Sequence, residues 1–290
     1  MRRLVLGTRG SELARAQTRL VQDSLRTEVE IEIIRTSGDE RREEIDREQG
    51  RKGMFTAEIE RALIDGRIDV AVHSAKDLPS EMTPDLRIAA TLPRAQIEDV
   101  LVAKTPNELQ HGATVGTSSV RRQHQLRFVR PDVNVVDLRG NVPTRVRKLM
   151  ESELDAIILA RAGLARLAFD ADGLHMTVLP LDQFLPAGGQ GIIALQIRSD
   201  DDETRRAIER INHRESLLCL RAEREFLRLL QGDCGTPVGV LATLQDDAMT
   251  LRAQIFDEGR VQPRAAALRK ENGANEPEAV AAELFDLING

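Results

Sequence analysis

The stretch Asp69-Val70-Ala71-Val72-His73-Ser74-Ala75-Lys76-Asp77-Leu78-Pro79 gathers the polar groups with the clearest chemical use. It begins as a valine-rich apolar run, which reads as a buried strand. It ends in a polar corner closed by Pro79, and proline cannot continue a central strand. Ser74, Lys76 and Asp77 therefore stand where a strand gives way to a loop, the place where open α/β sheets bind ligands. A lone Lys-Asp pair at a turn is ordinarily a surface ion pair. What sets this one apart is that the chain repeats the strand-to-loop design and loads those loops with arginine.

A second kind of chemistry belongs to Cys234, in the tight loop Gln231-Gly232-Asp233-Cys234-Gly235-Thr236-Pro237. It reads either as a small buried residue in a turn or as an accessible thiol, available as a nucleophile or attachment point. Glycines beside it allow close approach by a bulky group. Cys219 falls within a helical pattern rich in leucine and reads as an inert packed thiol. Two cysteines and scattered histidines do not make a structural zinc site, so no metal is expected.

The arginine loops follow short apolar runs. Residues 3–7 read as a strand, followed by Thr8-Arg9-Gly10-Ser11 and a helical pattern over 12–25. Ser11 is a plausible N-cap, and a helix start with a hydroxyl and an arginine beside it suits an anion. The design recurs three times further on: Thr117-Ser118-Ser119 before a helix carrying Arg121 and Arg122; Arg139-Gly140-Asn141 before a helix carrying Arg145; and Arg161-Ala162-Gly163, read as a loop, before a helix over 164–169 carrying Arg166. Each alone is ordinarily structural. Together, beside Arg9, they point to one ligand with many negative groups, because parallel strands put their carboxyl ends on one edge of a sheet. Of the 41 basic residues only five are lysine. The planar guanidinium fork suits carboxylate or phosphate.

The elements that must position these groups imply an α/β protein. Further strands are read at 29–35, 86–91, 100–103 and 192–197, and a helix ends near Gly66. Residues 37–52 carry charge of both signs with almost no apolar residue and read as a mobile surface loop, a lid or a solvated excursion. The chain crosses to a second domain around 93–99 and crosses back after the glycine-rich turn Leu185-Pro186-Ala187-Gly188-Gly189-Gln190-Gly191. From Arg214 a helix over 215–230, strands at 238–244, 249–256 and 261–269, and a helix over 277–287 form a small meander with helices packed on it. The domains are thus 1–93 with 192–212, 98–186, and 214–290. A chain of 290 residues with 41% hydrophobic and 30% charged content is expected to be soluble and globular. No apolar run is long enough to span a membrane or to serve as a signal peptide, and a cytoplasmic protein is expected. The net charge of −6 and the absence of Trp and Tyr argue against nucleic acid as a partner.

Taken together, Gly7-Thr8-Arg9-Gly10-Ser11, Lys52-Gly53-Met54-Phe55, Val72-His73-Ser74-Ala75-Lys76-Asp77-Leu78-Pro79, Gly116-Thr117-Ser118-Ser119-Val120-Arg121-Arg122, Leu138-Arg139-Gly140-Asn141 and Cys234 resemble the porphobilinogen deaminase (hydroxymethylbilane synthase) family in order and spacing. The resemblance runs over nearly the whole chain. It implies two periplasmic-binding-protein-like domains with a third small α+β domain built on an antiparallel three-stranded sheet. It implies a transferase that joins four porphobilinogen units head to tail with loss of ammonia, on a dipyrromethane primer held by thioether to Cys234, and then frees hydroxymethylbilane. Asp77 matches the catalytic carboxylate; Arg9, Arg121, Arg122, Arg139, Arg145 and Arg166 match the carboxylate-binding arginines. Ser11, Lys52, Phe55, Ser74, Lys76, Thr117, Ser118, Ser119, Gly140, Asn141 and Gln190 complete the expected binding set. Each porphobilinogen brings an acetate and a propionate, which fits many arginines. Loss of ammonia leaves a cationic azafulvene that a carboxylate can stabilise. The segment Arg94-Ala95-Gln96-Ile97-Glu98-Asp99 departs from the family's arginine- and aspartate-rich pattern near the crossing. A monomer acting on a small molecule is expected. The competing reading is a non-catalytic two-domain binder of an anionic small molecule.

Overall fold

A computed structural model describes residues 3–35, 56–106, 108–170, 172–231, 236–257, 259–260 and 262–290. In chain order it runs β1 (Leu4–Arg9), α1 (Glu12–Leu25), β2 (Val29–Ile34), α2 (Ala57–Ile64), β3 (Val70–Ser74), a single 3-10 turn (Ala75–Asp77), β4 (Leu86–Thr91), β5 (Asp99–Ala103), β6 (Thr114–Gly116), α3 (Val120–Val129), β7 (Asn134–Val136), α4 (Val142–Glu151), β8 (Ala156–Ala160) and α5 (Arg161–Arg166). It continues through β9 (His175–Val178), β10 (Ile193–Arg198), α6 (Asp202–Glu209), α7 (Arg214–Leu229), β11 (Val238–Gln245), β12 (Ala248–Ile255), β13 (Arg264–Lys270) and α8 (Pro277–Asn289).

Three sheets organise these elements: a five-stranded sheet in the order β2-β1-β3-β10-β4, a second of five strands in the order β7-β6-β8-β5-β9, and a three-stranded meander β11-β12-β13. The two larger sheets share one plan. In each, three strands are parallel, and the fourth runs antiparallel to them and pairs with the fifth. In each, that fourth strand is the one the chain enters directly after leaving the other sheet: β5 follows β4, and β10 follows β9. The chain thus crosses twice, and the carboxyl ends of the parallel strands in both sheets lie near the crossings.

Burial explains why the short apolar runs become strands. Val70, Ala71 and Val72 of the central β3 are all buried, as expected for a strand covered on both faces. Leu6, Val21, Leu25, Val72, Leu195 and Ile208 form one core. Val115, Leu126, Ala156, Ile158 and Phe184 form another under the second sheet. The small sheet packs Val240, Met249 and Leu251 against Phe226 of α7 and Leu284 of α8, with the Phe226 and Phe285 rings 6.3 Å apart edge to face.

Three local expectations change. The segment read as the loop 161–163 is the first turn of α5: Arg161 N–H donates to Glu98 O at 3.0 Å and the helix starts directly from β8. β9 was not anticipated; all four of its residues are exposed, so it lacks the alternation that marks a half-buried strand. The third meander strand begins at Arg264 rather than 261, whose own placement lies outside the described residues.

Candidate active site

Asp77 ends the 3-10 turn that follows β3. The turn is pinned from below: Ala75 N–H donates to Ile192 O at 3.0 Å, and Leu78 N–H to Ala75 O at 3.3 Å. Gly189, at φ +75°, lies directly against it. A Cβ there would sit 2.9 Å from the Ala75 carbonyl carbon and 3.0 Å from Lys76 N, so only glycine allows the approach. The Asp77 carboxylate is exposed and takes no hydrogen bond or ion pair among the described residues. Upstream, Ser74 Oγ accepts from Gln17 Nε2 at 2.7 Å.

Lys76 is half-buried, and its Nζ makes a long 3.5 Å contact with Gln190 Oε1. Burial pushes its ammonium down to about 8, with the Arg122 and Arg121 charges adding to the effect and Asp77 and Asp99 opposing it. Two features of the expected set thus meet: the turn after β3 of the first sheet and the α3 arginines of the second.

Those arginines are held by Asp99, the first residue of β5. Arg121 Nη2 donates to Asp99 Oδ2 at 2.8 Å and Arg122 Nη2 to Oδ1 at 2.7 Å. Gln190 Nε2 also donates to Oδ1, at 2.9 Å. Burial alone would push this carboxyl up, but the two guanidiniums and the hydrogen bonds from Arg122 and Gln190 hold it well below the usual carboxylate range. Arg121 Nη1 donates to Gln125 Oε1 and Leu185 O, and Arg122 Nη1 to Ile158 O. Arg145, on α4, donates to Ser118 Oγ at 3.2 Å. Burial pushes its guanidinium down to about 10, with Arg122 adding to this and Asp137 and Asp77 opposing it. The Nε atoms of Arg121, Arg122 and Arg145 are all buried without a hydrogen-bond partner among the described residues. Three orphaned cationic donors in one cluster are what a ligand carrying several carboxylates would satisfy, so the residues present fit a polyanionic primer.

The rest of the expected set divides by task. Ser11, Ser119 and Asn141 are N-caps of α1, α3 and α4, accepting from Ala14, Arg122 and Thr144 N–H groups. Thr117 Oγ1 accepts from Ser119 N–H at 3.3 Å. Gly140, at φ +123°, has no room for a side chain: a Cβ there would sit 2.7 Å from Thr144 Cγ2. Arg139 pairs with Asp137 at 2.9 Å toward the surface. Arg166 donates to Gly191 O at 2.6 Å. Arg9 ends β1 and acts electrostatically on His73. Lys52, Phe55, Cys234 and the segment expected to serve as a lid lie outside the described residues.

The sequence pattern gives no role to Gln17 or Glu223, and Arg94 and Asp99 enter it only within the segment that departs from the family pattern near the crossing. Glu223 is fully buried and accepts from Arg94 Nη1 at 2.6 Å, Gly189 N–H at 2.6 Å and Ala242 N–H at 2.7 Å. A signal existed: Cys219, Ala222, Glu223 and Phe226 share the buried helical stripe of α7, where an unpaired glutamate has no place. Cys219 is itself buried, and that burial, with Glu223, pushes its thiol up to about 12.

A family model described as "Porphobilinogen deaminase, dipyromethane cofactor binding domain" matches residues 4–206, and "Porphobilinogen deaminase, C-terminal domain" matches 217–286. A protein named porphobilinogen deaminase from Roseiflexus sp. (strain RS-1) is 44% identical over 293 residues, covering 98% of this chain and 95% of the relative. Another of that name, from Syntrophomonas wolfei, is 47% identical over 263 residues, covering 88% and 85%. Among solved structures, an ABC transporter protein from Parabacteroides distasonis matches with a TM-score of 0.42 at 15% identity, covering 78% of this chain and 74% of that one. A likeness that weak carries no argument about function.

Proposed function

The chain belongs to the porphobilinogen deaminase family, and from that premise we propose that Asp77 is the carboxylate at which its chemistry takes place. The reaction is hydroxymethylbilane synthesis: four porphobilinogen units join head to tail with loss of ammonia, and hydrolysis frees the linear product. The dipyrromethane primer, attached through a thioether to Cys234, supplies the pyrrole end from which the chain grows.

The protein's own residues do the rest. An exposed carboxylate with no competing partner is available to hold the positive charge that develops on a pyrrole nitrogen as ammonia leaves, and to take or return a proton. Lys76, Arg121, Arg122 and Arg145 bind acetate and propionate groups, and Arg9, Arg139 and Arg166 extend that service along the lengthening chain. Ser74, Ser118 and Thr117 supply neutral donors beside them, and Gln190 holds Lys76 in place. Because Asp99 already occupies one edge of both α3 guanidiniums, those arginines are pre-aimed before any ligand arrives, which lowers the ordering cost of binding. We take residues 1–93 with 192–212, 98–186, and 214–290 as three domains of a cytoplasmic monomer; no described helix is long and apolar enough to cross a membrane.

The observation that carries this reading is the electrostatic meeting of Asp77 with Lys76 from one sheet and Arg145 from the other. The test of primer and attachment point is the intact mass of the purified protein beside that of Cys234→Ala, after incubation of both with porphobilinogen. The wild type is expected to carry the added mass of a dipyrromethane and the variant its sequence mass alone. A wild type still without adduct overturns the reading.

A further inference from the structure

Two neighbouring residues of α7 grip the Asp77 turn from opposite sides. Successive helical residues point about 100° apart, since a turn takes 3.6 residues. Glu223 points into the crossing, where it accepts the Gly189 N–H that lies against Ala75 and Lys76. Arg224 points the other way. Its Nη2 donates to Pro79 O at 2.8 Å and Ser80 O at 3.2 Å, and contacts Met82 Sδ at 3.0 Å. Between them, Leu220, one turn earlier on the same helix, packs with Ala75, Leu78 and Ile192. The backbone on both flanks of Asp77 is thus fastened to a helix that belongs to the small meander, not to the sheet from which the aspartate projects.

We propose that Arg224 is a positioning residue for Asp77: by clamping the carbonyls of Pro79 and Ser80 it fixes the exit of the 3-10 turn and with it the direction of the carboxylate. The inference rests on Asp77 being the catalytic carboxylate. It gives α7 a second task. The helix that packs the meander also sets the direction of the carboxylate, so docking of the meander and aim of Asp77 are one event. Ala75 N–H on Ile192 O and the close approach of Gly189 hold the start of the turn, and Arg224 holds the carbonyls that follow it. Asp77 has no hydrogen bond of its own among the described residues, so its orientation follows the backbone alone.

The test uses primer-loaded protein, with loading checked by intact mass, and compares Arg224→Ala, Arg224→Lys, Asp77→Asn and the Arg224→Ala/Asp77→Asn pair. Displacing a reacting group by about 1 Å can cost on the order of 100-fold in rate, so Arg224→Ala is expected to lose roughly 10- to 100-fold in kcat. Its KM should stay within about threefold, because the substrate-binding arginines are untouched. Arg224→Lys keeps the charge but not the fork and should fall between. Added guanidinium ion should restore part of the Arg224→Ala turnover and none of that of Asp77→Asn. In the double variant the arginine substitution should cost nothing further, as expected of residues acting through one group. Unchanged kcat in Arg224→Lys and Arg224→Ala, or a kcat loss that adds in full to that of Asp77→Asn and resists guanidinium, overturns the proposal. Normal turnover in Asp77→Asn would instead overturn the role of Asp77 itself.

Discussion

Asp77 and Asp99 stand at the two ends of one electrostatic field, and both act on Lys76, yet their surroundings are opposite. Asp77 projects from a one-turn helix into the open. Asp99 is fully buried and accepts from two guanidiniums and a glutamine amide. A carboxylate whose acceptor sites are filled by cations is committed to its ionised form and to architecture; one without partners can respond to a substrate. Residue type and nearby arginines do not separate the two proposed roles. The count of hydrogen bonds each carboxylate already makes does.

Removing the exposed group should have the largest effect. Asp77→Asn is expected to lower kcat on the order of 10²- to 10⁴-fold, the usual worth of a positioned acid or base, while the thermal midpoint stays put. Steady-state kinetics beside calorimetry checks both halves, and near-normal turnover would erase the contrast. Asp99→Asn should do the reverse and act first on stability. It strands Arg121 and Arg122 in the interior, and breaking a buried pair costs roughly 3–5 kcal/mol, readable as a drop in the urea midpoint. If Asp99→Asn left stability intact and abolished turnover instead, the assignment of roles would have to be exchanged.

A smaller effect comes with pH. His73 is buried beneath the Asp77 turn and bonds Gln196 Oε1 at 3.0 Å. Burial pushes its imidazole down to about 4 from 6.5, with Arg9 and Arg224 adding to the effect. The unfolded state therefore takes up this proton first. Its contribution to stability is whole above about pH 6.5 and is lost as the pH falls from there toward 4, by up to ~3 kcal/mol. Asp99, whose folded value is depressed, keeps its contribution above the ordinary carboxylate pKa of about 4 and loses it only below. Urea unfolding from pH 7 to 4 should show a decline that His73→Asn removes and Asp99 does not share. A flat profile across that window would count against a neutral buried His73.

Much of the site was legible in the chain because its chemistry is local. Strand ends, N-caps and glycine turns announce themselves within a few residues, so Ser11, Ser119 and Asn141 appear as caps where the pattern expects them. The helix over 12–25 has the bounds that its capping serine and apolar spacing imply. The Asp77 corner reads from a valine run stopped by proline. Cys219 reads as a packed thiol from the leucines around it, and it is buried. α5 was misplaced because its strand runs into the helix without the turn residues that normally mark a boundary. β9 was missed because an edge strand exposed on both faces carries no alternation.

The sequence by itself determined most of the element types, the clustering of arginine at strand ends, and the family, since these depend on residues a few positions apart and on order along the chain. Which distant partners the arginines find was decided only by the tertiary structure. Asp99 meets Arg121 and Arg122 across 22 and 23 positions, Gln190 meets Asp99 across 91, and Arg224 meets Pro79 across 145. Such contacts exist because the chain crosses twice between sheets and returns as α7, and no local periodicity records which distant partner a charge will find. Partner choice in turn sets the chemistry, because the same side chain is a fixed strut when its hydrogen bonds are filled and a reactive group when they are not.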